Sequence, residues 1–181
     1  MKATAASSAY HGWRPLPSWP VDARPALLWS FLSEVGSLTD RLKAKAGPVF
    51  HVRVLNEQGV TLLSQDATLL HAKTGAPAYL RQVYLCGLVP LVYARSVAVG
   101  AAVGWLQELG ASPLGGRVFA EKEVQRGPIE VTQLSPGEPL YRAAVAGLTV
   151  APHELWARRS VLKVGAAAIL IYECFLPELG L

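Results

Sequence analysis

The C-terminal part of the chain has the clearest pattern of apolar and polar positions. Residues 155–177 contain two runs of apolar and β-branched residues on either side of Gly165, Ala166 and Ala167, which predicts an antiparallel hairpin. Successive side chains of a strand point to opposite faces, and in the second run both faces are apolar. Glu173 is therefore expected to be buried on either face, where a carboxylate is costly unless another group pairs with it.

The partner of Glu173 depends on the turn of this hairpin. If Gly165 and Ala166 are its two central residues, Arg158 lies opposite Glu173, whereas a three-residue turn places Arg159 there. Both registers supply an arginine. A cross-strand ion pair that only stabilises the hairpin is therefore one interpretation of the buried carboxylate.

Two further strands each carry one arginine on an otherwise apolar face. Arg81 belongs to the strand at 79–85 and Arg95 to the strand at 91–99. A two- or four-residue loop between the strands places the two arginines on opposite faces of the sheet, and a three-residue or bulged loop places them on the same face. The pattern leaves both arrangements open.

The rest of the pattern predicts the fold class. Helices are predicted after Asp22, from Gly36 to Gly47 with Ser37 or Thr39 as the cap, at 100–109 and around 141–146. Further strands are predicted at 49–55, 118–126 and 129–134, with turns at 56–59 and 112–116 and only weak patterning at 60–77. Strands predominate and neighbouring strands connect as hairpins, so we expect an α+β fold with helices packed on an antiparallel sheet.

Composition supports a single domain with a large interior. The chain has 181 residues, of which 51% are hydrophobic and only 17% charged, so much of it must be buried or line an apolar cavity. Residues 1–20 are mostly small, polar or proline. We assign residues 1–20 to a poorly ordered N-terminal arm and residues 21–181 to the domain.

The distribution of charge excludes several classes of partner. The net charge is +4 without a polybasic run, which favours a small anion over nucleic acid. The histidines and cysteines show no metal-ligand spacing, so no metal is expected.

In the apolar segment 83–106, Gly87, Pro90 and Arg95 argue against a membrane helix. The N-terminus lacks the apolar run of a secretory signal, and apolar surroundings of both cysteines suit reduced thiols, so we expect a cytoplasmic protein.

Three ionisable residues on apolar strand faces point to a binding pocket. Arg81, Arg95 and Glu173 come from different parts of the chain, and three such residues would be a costly way to stabilise a core. We interpret them as the lining of a polar pocket for a small organic anion. Backbone N–H groups at the helix start near Leu38 and in the glycine-rich turn at Leu114 could add hydrogen-bond donors.

Six motifs carry a family resemblance. In chain order they are GSLTDRL, YLRQVYLCG, ARSVAV, LGASPLGGRVF, WARRSVLKVG and LIYECFLP. Together they resemble the chorismate pyruvate-lyases of ubiquinone biosynthesis over about residues 29–177. The resemblance implies an enclosed pocket within an antiparallel α+β domain, in which chorismate is cleaved to 4-hydroxybenzoate and pyruvate without a cofactor.

The resemblance also implies the ligand contacts. They fall on the side chains of Arg81 and Glu173, which would be the catalytic residues, on the backbone at Leu38 and Leu114, and on Arg95. We expect Arg81 and the two backbone groups to hold the ring carboxylate and Arg95 to bind the enolpyruvyl carboxylate, because arginine binds carboxylates in a bidentate manner. Glu173 would lie beside C4 and its hydroxyl, either as the base or only to orient the ring. Chorismate and 4-hydroxybenzoate are the expected small-molecule partners of a monomeric enzyme.

The chain departs from the family pattern in two places. Leu38 stands where relatives can have methionine, and residues 135–152 are longer than in compact members. The competing hypothesis is a non-catalytic, small-anion-binding domain similar to the effector-sensing domains of bacterial transcription regulators. Too few residues precede the predicted domain for a DNA-binding module, which favours the enzyme.

Overall fold

The fold is built on one antiparallel sheet. The computed structural model describes residues 12–118 and 124–180. Within these residues the strands are β1 (Arg14–Pro15), β2 (His51–Thr61), β3 (Pro77–Cys86), β4 (Pro90–Val99), β5 (Gln125–Arg126), β6 (Glu130–Leu134), β7 (Leu155–Val164) and β8 (Ala167–Phe175). The helices are α1 (Trp29–Leu32), α2 (Leu38–Ala46), α3 (Ser64–Leu70), α4 (Ala102–Gln107), α5 (Leu114–Val118) and α6 (Pro139–Val145).

The strand order places the most apolar strands in the middle of the sheet. The order is β1-β6-β7-β8-β4-β3-β2, with β5 also paired to β7. Helices α1, α2, α4 and α5 pack on one face, and α3 and α6 pack on the other. The predicted α+β class, with helices packed on an antiparallel sheet, is confirmed. No helix in the described ranges is both long enough and apolar enough to cross a membrane.

The β7–β8 hairpin has the shorter of the two predicted turns. Gly165 adopts a positive φ of 55°, a conformation that glycine tolerates, and Val164 pairs with Ala167 across the turn. This register places Arg158 opposite Glu173. Of the two registers that the sequence allows, the two-residue turn is correct.

The β3–β4 hairpin separates the two arginines. Its loop has three residues, and a bulge at Cys86 shifts the register by one more position. Arg81 therefore pairs with Ser96, and Arg95 pairs with Gln82. Because paired residues point to the same side of a sheet, Arg81 and Arg95 lie on opposite faces. The face that bears Arg81 is called the inner face below, and the face that bears Arg95 is the outer face.

Four local predictions were wrong. β2 continues through the predicted turn at 56–59, and a bulge after Val54 absorbs the irregularity. This is tolerated because β2 is an edge strand, where polar residues and glycine face solvent.

A helix, α3, lies in the weakly patterned segment, and another, α5, begins in the predicted turn at 112–116. β5 has two residues and pairs with β7 instead of β6, while residues 119–123 of the predicted strand lie outside the described residues.

Part of the predicted N-terminal arm is packed on the domain. β1 pairs with β6, and the side chain of Trp19 is 1% exposed. The indole N–H of Trp19 donates to the carbonyl of Val131 at 3.2 Å. Residues 12–20 thus extend the sheet and its core, and residues 1–11 of the arm lie outside the described residues.

Candidate active site

The candidate site is a small cavity between the inner face of the sheet and the helices α2 and α5. Its volume is about 40 Å³. Its polar lining consists of Thr39, Arg81, Ser96, Arg126 and Glu173. Its remaining lining consists of Leu38, Val83, Leu85, Ala94, Leu114, Gly115, Leu162 and Ile171. The structure therefore brings together four of the five residues that the sequence analysis selected, and Arg95 is the exception.

Arg81 is held rigidly at one side of the cavity. Its side chain is 2% exposed, and its Nε donates to Oε1 of Glu57 at 2.7 Å. Its Nη2 donates to the carbonyls of Gly110 at 2.7 Å and Ser112 at 3.0 Å. Nη1 makes no hydrogen bond within the described residues, so it is the atom that remains for a ligand.

Glu173 lies two strands away and forms a buried ion pair. Arg158 Nε donates to Oε2 of Glu173 at 2.5 Å, and both side chains are nearly excluded from solvent. The cross-strand pair expected as the structural interpretation is therefore present, with Arg158 as the partner. The same carboxylate also lines the cavity, so the structural and binding interpretations of Glu173 are compatible.

Arg126 is the cation that the sequence analysis missed. It donates from Nε to the carbonyl of Val35 at 3.0 Å, from Nη2 to the carbonyl of Gly36 at 3.2 Å and from Nη1 to the hydroxyl of Ser160 at 2.5 Å. Burial lowers the pKa of Arg126, and the nearby carboxylate of Glu173 opposes that shift. Arg126 belongs to a charged stretch of the sequence that is typical of a solvated surface, so its pattern gave no sign of burial.

Helices α2 and α5 form the roof of the cavity. Leu38 and Leu114 are their first residues, and the hydroxyl of Ser37 caps α2 by accepting from the N–H of Asp40 at 3.2 Å. The helices touch at Gly115, where a Cβ would lie 2.7 Å from Oγ1 of Thr39. Such a distance is too short for a real contact, so only glycine allows this approach.

Arg95 lies on the outer face, outside this cavity. Its Nη2 donates to Oδ2 of Asp66 at 2.8 Å. The cause is the strand register, which pairs Arg95 with Gln82 and Tyr172 instead of with the residues beside Arg81. The prediction that Arg95 contacts the same ligand as Arg81 is therefore wrong for this cavity.

The arrangement suits a small organic anion. β4 lies between the strands of Arg81 and Glu173, so their backbones are about 10 Å apart across the sheet. A compact molecule could reach the guanidinium groups of Arg81 and Arg126 and the carboxylate of Glu173 at once. Among the residues that the structure describes, no group of three His, Cys, Asp or Glu side chains could hold a metal ion.

The chain is similar in sequence to proteins of one family. The family model described as chorismate lyase matches residues 13–179, which begins closer to the N-terminus than the motifs indicate. A "Probable chorismate pyruvate-lyase" of Halorhodospira halophila is 39% identical over 171 residues, covering 92% of this chain and 90% of that protein. A protein of the same name from Pseudomonas aeruginosa is 39% identical over 160 residues, covering 86% and 85%.

Solved structures show the same fold at low sequence identity. The effector domain of PhnF from Mycobacterium smegmatis matches with a TM-score of 0.61 at 15% identity, covering 80% of this chain and 91% of that domain. That likeness extends to the fold alone. By the match over nearly its whole length and by its relatives at 39% identity, the chain belongs to the chorismate lyase family.

Proposed function

We propose that this protein converts chorismate to 4-hydroxybenzoate and pyruvate, as the first committed step of ubiquinone biosynthesis. The observation that carries the proposal is the shared cavity of Arg81, Arg126 and Glu173 on the inner face. Membership of the chorismate lyase family supports the choice of substrate. The proposed enzyme is a cofactor-independent, monomeric protein of the cytoplasm, and both of its cysteines are free thiols in the interior.

The two carboxylates of chorismate match the two cations of the cavity. We assign the ring carboxylate to Nη1 of Arg81 and to backbone N–H groups at Leu38 and Leu114, because N–H groups in the first turn of a helix have no partner within that helix. We assign the enolpyruvyl carboxylate to Arg126, since Arg95 lies behind the sheet. The carboxylate of Glu173 then lies beside C4 and its hydroxyl group.

The proposed reaction needs little chemical assistance. The C3–O bond breaks with its electron pair going to oxygen, C4 loses its hydrogen, and the ring becomes aromatic. A proton then reaches the methylene carbon of the departing enolpyruvate to give pyruvate. Glu173 would accept the C4 proton, which is worth about 10²–10⁴ in rate. Direct transfer of that hydrogen to the methylene carbon within a confined conformer is the alternative, and it would leave Glu173 only to orient the ring.

The cavity must widen to admit chorismate. Its volume of about 40 Å³ is well below the ~150 Å³ of a cavity that holds benzene. The sheet is a continuous hydrogen-bonded layer, whereas the roof consists of two short helices that meet at Gly115. We infer that α2 and α5 separate when the substrate enters and close again around it.

The decisive experiment is an assay of the pure protein with chorismate. We expect 4-hydroxybenzoate, followed by its absorbance, and pyruvate, followed by a coupled assay, to form in equal amounts without added metal or cofactor. The Arg81→Met variant should lose about 10²-fold in kcat/KM, because it removes a charged hydrogen-bond donor from a buried site. Arg53→Met is a matched control, since Arg53 is an exposed residue of the edge strand β2.

Two results would contradict the proposed reaction. Saturable binding of chorismate without formation of either product would favour the competing hypothesis of a non-catalytic, small-anion-binding domain. Product formation that is equally fast in the Arg81→Met variant would show that chemistry occurs away from this cavity. Circular dichroism of each variant distinguishes a lost contact from a lost fold.

A further inference from the structure

The outer face of the sheet carries a second cavity that the proposed reaction does not use. Its volume is about 400 Å³, ten times that of the inner cavity and within the usual range of about 300–1,000 Å³ for small-molecule sites. It lies between α3 and α6, and Gln82, Arg95 and Tyr172 form its floor. The outer cavity is therefore large enough for a ring-sized ligand without any movement.

The walls of the outer cavity are mainly apolar. Trp13 closes one side, and its ring meets Tyr172 edge-on with centroids 5.6 Å apart. The other apolar wall residues are Leu63, Leu134, Pro139, Leu140 and Ala143. Aromatic and aliphatic walls of this kind favour a ligand with an apolar body, because its burial removes apolar surface from water.

One fixed guanidinium group lies at the floor of this apolar cavity. Arg95 is held by Asp66, whose Oδ2 accepts from Nη2 at 2.8 Å, and its guanidinium lies over the ring of Tyr172, 5.1 Å from the ring centroid. Tyr172 donates to the other oxygen of Asp66 at 2.6 Å, so both carboxylate oxygens are occupied. Nε and Nη1 of Arg95 make no hydrogen bond within the described ranges, and a fifth of the side chain is exposed to the cavity side. These atoms can bind a carboxylate.

Glu138 restricts the charge of the ligand. It lines the same cavity, where its Oε1 accepts from the N–H of Ser135 at 2.8 Å. Arg95 can bind one carboxylate through Nε and Nη1, and the carboxylate of Glu138 repels a second negative group on the ligand. The same carboxylate can accept a hydrogen bond from a hydroxyl group. The charge pattern thus favours a monoacid over a diacid such as chorismate.

We propose that the outer cavity is a second binding site, for a monocarboxylate that carries a six-membered ring. The carboxylate binds Arg95, and the ring packs between Trp13 and the leucines of α6 and β6. The site lies directly behind the inner cavity: Gln82 follows Arg81 along β3, and Tyr172 precedes Glu173 along β8. Only the backbone of the sheet separates a ligand in the inner cavity from a ligand in the outer cavity. Variants of each cavity are therefore needed to show which of the two a ligand occupies.

Calorimetric titration with benzoate tests the site. The titrated protein is the Arg81→Met variant, in which the inner cavity has lost a guanidinium group. We expect benzoate to bind this variant with a stoichiometry of one, and to bind the Arg81→Met/Arg95→Met double variant at least about tenfold more weakly. Arg81→Met/Arg53→Met is the matched control and should bind as Arg81→Met does. Equal affinity with and without Arg95 would overturn the proposal.

A variant that fills the outer cavity distinguishes a lost binding site from a lost fold. Arg95→Met also breaks the ion pair with Asp66, whereas Ala143→Phe leaves that pair intact and fills the outer cavity from α6. Added to Arg81→Met, Ala143→Phe should abolish benzoate binding while the thermal transition remains cooperative. Retained binding in this folded variant would overturn the site, whatever the result for Arg95→Met.

Three further ligands identify the acid that the site prefers. Isophthalate, a ring diacid, should bind at least about tenfold more weakly than benzoate, and tighter binding would overturn the monoacid assignment. Cyclohexanecarboxylate should also bind, because the proposal requires only a six-membered ring, and failure of this acid to bind would overturn that assignment. A gain in affinity for 4-hydroxybenzoate over benzoate that disappears in Glu138→Gln would identify a hydroxylated aromatic acid as the preferred ligand. Chorismate turnover is not read in these titrations, so they stand whether or not the proposed reaction is correct.

Discussion

The ion pair of Glu173 determines what this single carboxylate can do. Arg158 is bound from Nη1 by the carbonyls of Phe31 at 2.9 Å and Glu34 at 2.7 Å, and it is 1% exposed. Its Nη2 is buried without a hydrogen-bond partner in the described part of the chain. Arg158 is therefore fixed by α1 and by the segment that follows it, and it fixes one oxygen of Glu173 in turn. Among the residues that the structure describes, the other oxygen, Oε1, has no hydrogen-bond partner and is left for the cavity.

Replacing Glu173 by Gln tests proton abstraction. The amide keeps the shape of the side chain but does not accept a proton, so we expect kcat to fall by about 10² or more with a much smaller change in KM. Near-full turnover would exclude proton abstraction by this residue and favour direct hydrogen transfer. Glu130→Gln is the matched control, because Glu130 forms a similar pair with Arg159, at 2.7 Å, on the outer face. It should retain turnover.

Replacing Arg158 by Met tests the stability of the same pair. The substitution leaves the Glu173 carboxylate buried without its cation, which typically costs about 3–5 kcal/mol. We expect the free energy of unfolding in urea to fall by about that amount. The double variant Arg158→Met/Glu173→Gln should recover part of the loss, because it no longer buries an unpaired charge. A double variant that is less stable than Arg158→Met alone would contradict this account.

The roof of the inner cavity is defined by the contact between two helices. Gly115 lies in α5 against Thr39 in α2, while Gly116 next to it has no atom within 4 Å of an added Cβ. The two glycines therefore form a natural pair of probes. Alanine favours a helix by up to about 1 kcal/mol over glycine, so the difference between the two substitutions reports the contact alone.

We expect Gly115→Ala to displace α5 from α2 and to lower kcat/KM, because Leu38 and Leu114 at the helix starts move with it. Gly116→Ala should leave the kinetics unchanged and raise Tm slightly. Adding Thr39→Ala to Gly115→Ala removes the oxygen that lies 2.7 Å from the new Cβ and should restore part of the activity. Equal kinetics for Gly115→Ala and Gly116→Ala would show that the roof contact does not shape the site.

The elements also differ in how far the sequence predicts them. The β7–β8 register follows from one glycine turn, so Arg158 could be placed opposite Glu173 as one of two choices. The β3–β4 register results from a three-residue loop together with an adjacent bulge, and the two shifts combine. No pattern of residues in the sequence predicts both the loop length and the bulge. Arg126 was missed for another reason: its partners Val35 and Gly36 lie 91 and 90 positions away, beyond the reach of local patterns.

At the scale of the whole molecule, one sheet separates two cavities, and each is lined by at least one arginine. The apolar pattern predicted that the last strand is buried on both faces, and it identified Arg81, Arg95 and Glu173 as ionisable residues on apolar strand faces. It could not divide them between the two faces, because a shift of one residue in one hairpin exchanges the faces. The family resemblance implied a ligand class for one face only, and the ligand class proposed for the other face is argued from the geometry around Arg95.

Buried tyrosine and cysteine side chains predict how the stability of the protein depends on pH. Burial raises the pKa of Tyr93 to about 12, and it also raises the pKa of Cys174 and of Tyr172 above their ordinary values. In the unfolded chain such groups titrate near their reference pKa values, about 8.5 for cysteine and 10 for tyrosine. Above these values the unfolded state releases protons that the folded state retains. The free energy of unfolding therefore falls as pH rises, by up to about 1.4 kcal/mol per pH unit for each group.

Urea unfolding at several pH values between 8 and 11 measures this slope. The loss of stability should begin near pH 8.5, where the thiols of the unfolded chain ionise, and steepen above pH 10. Tyr93→Phe should flatten the slope above pH 10, although it also removes the hydroxyl that accepts from Gln82 at 2.5 Å and so lowers stability at every pH. Cys174→Ala should flatten the slope from pH 8.5 upward. If both variants keep the slope of the parent protein, burial of these groups does not control its alkaline unfolding.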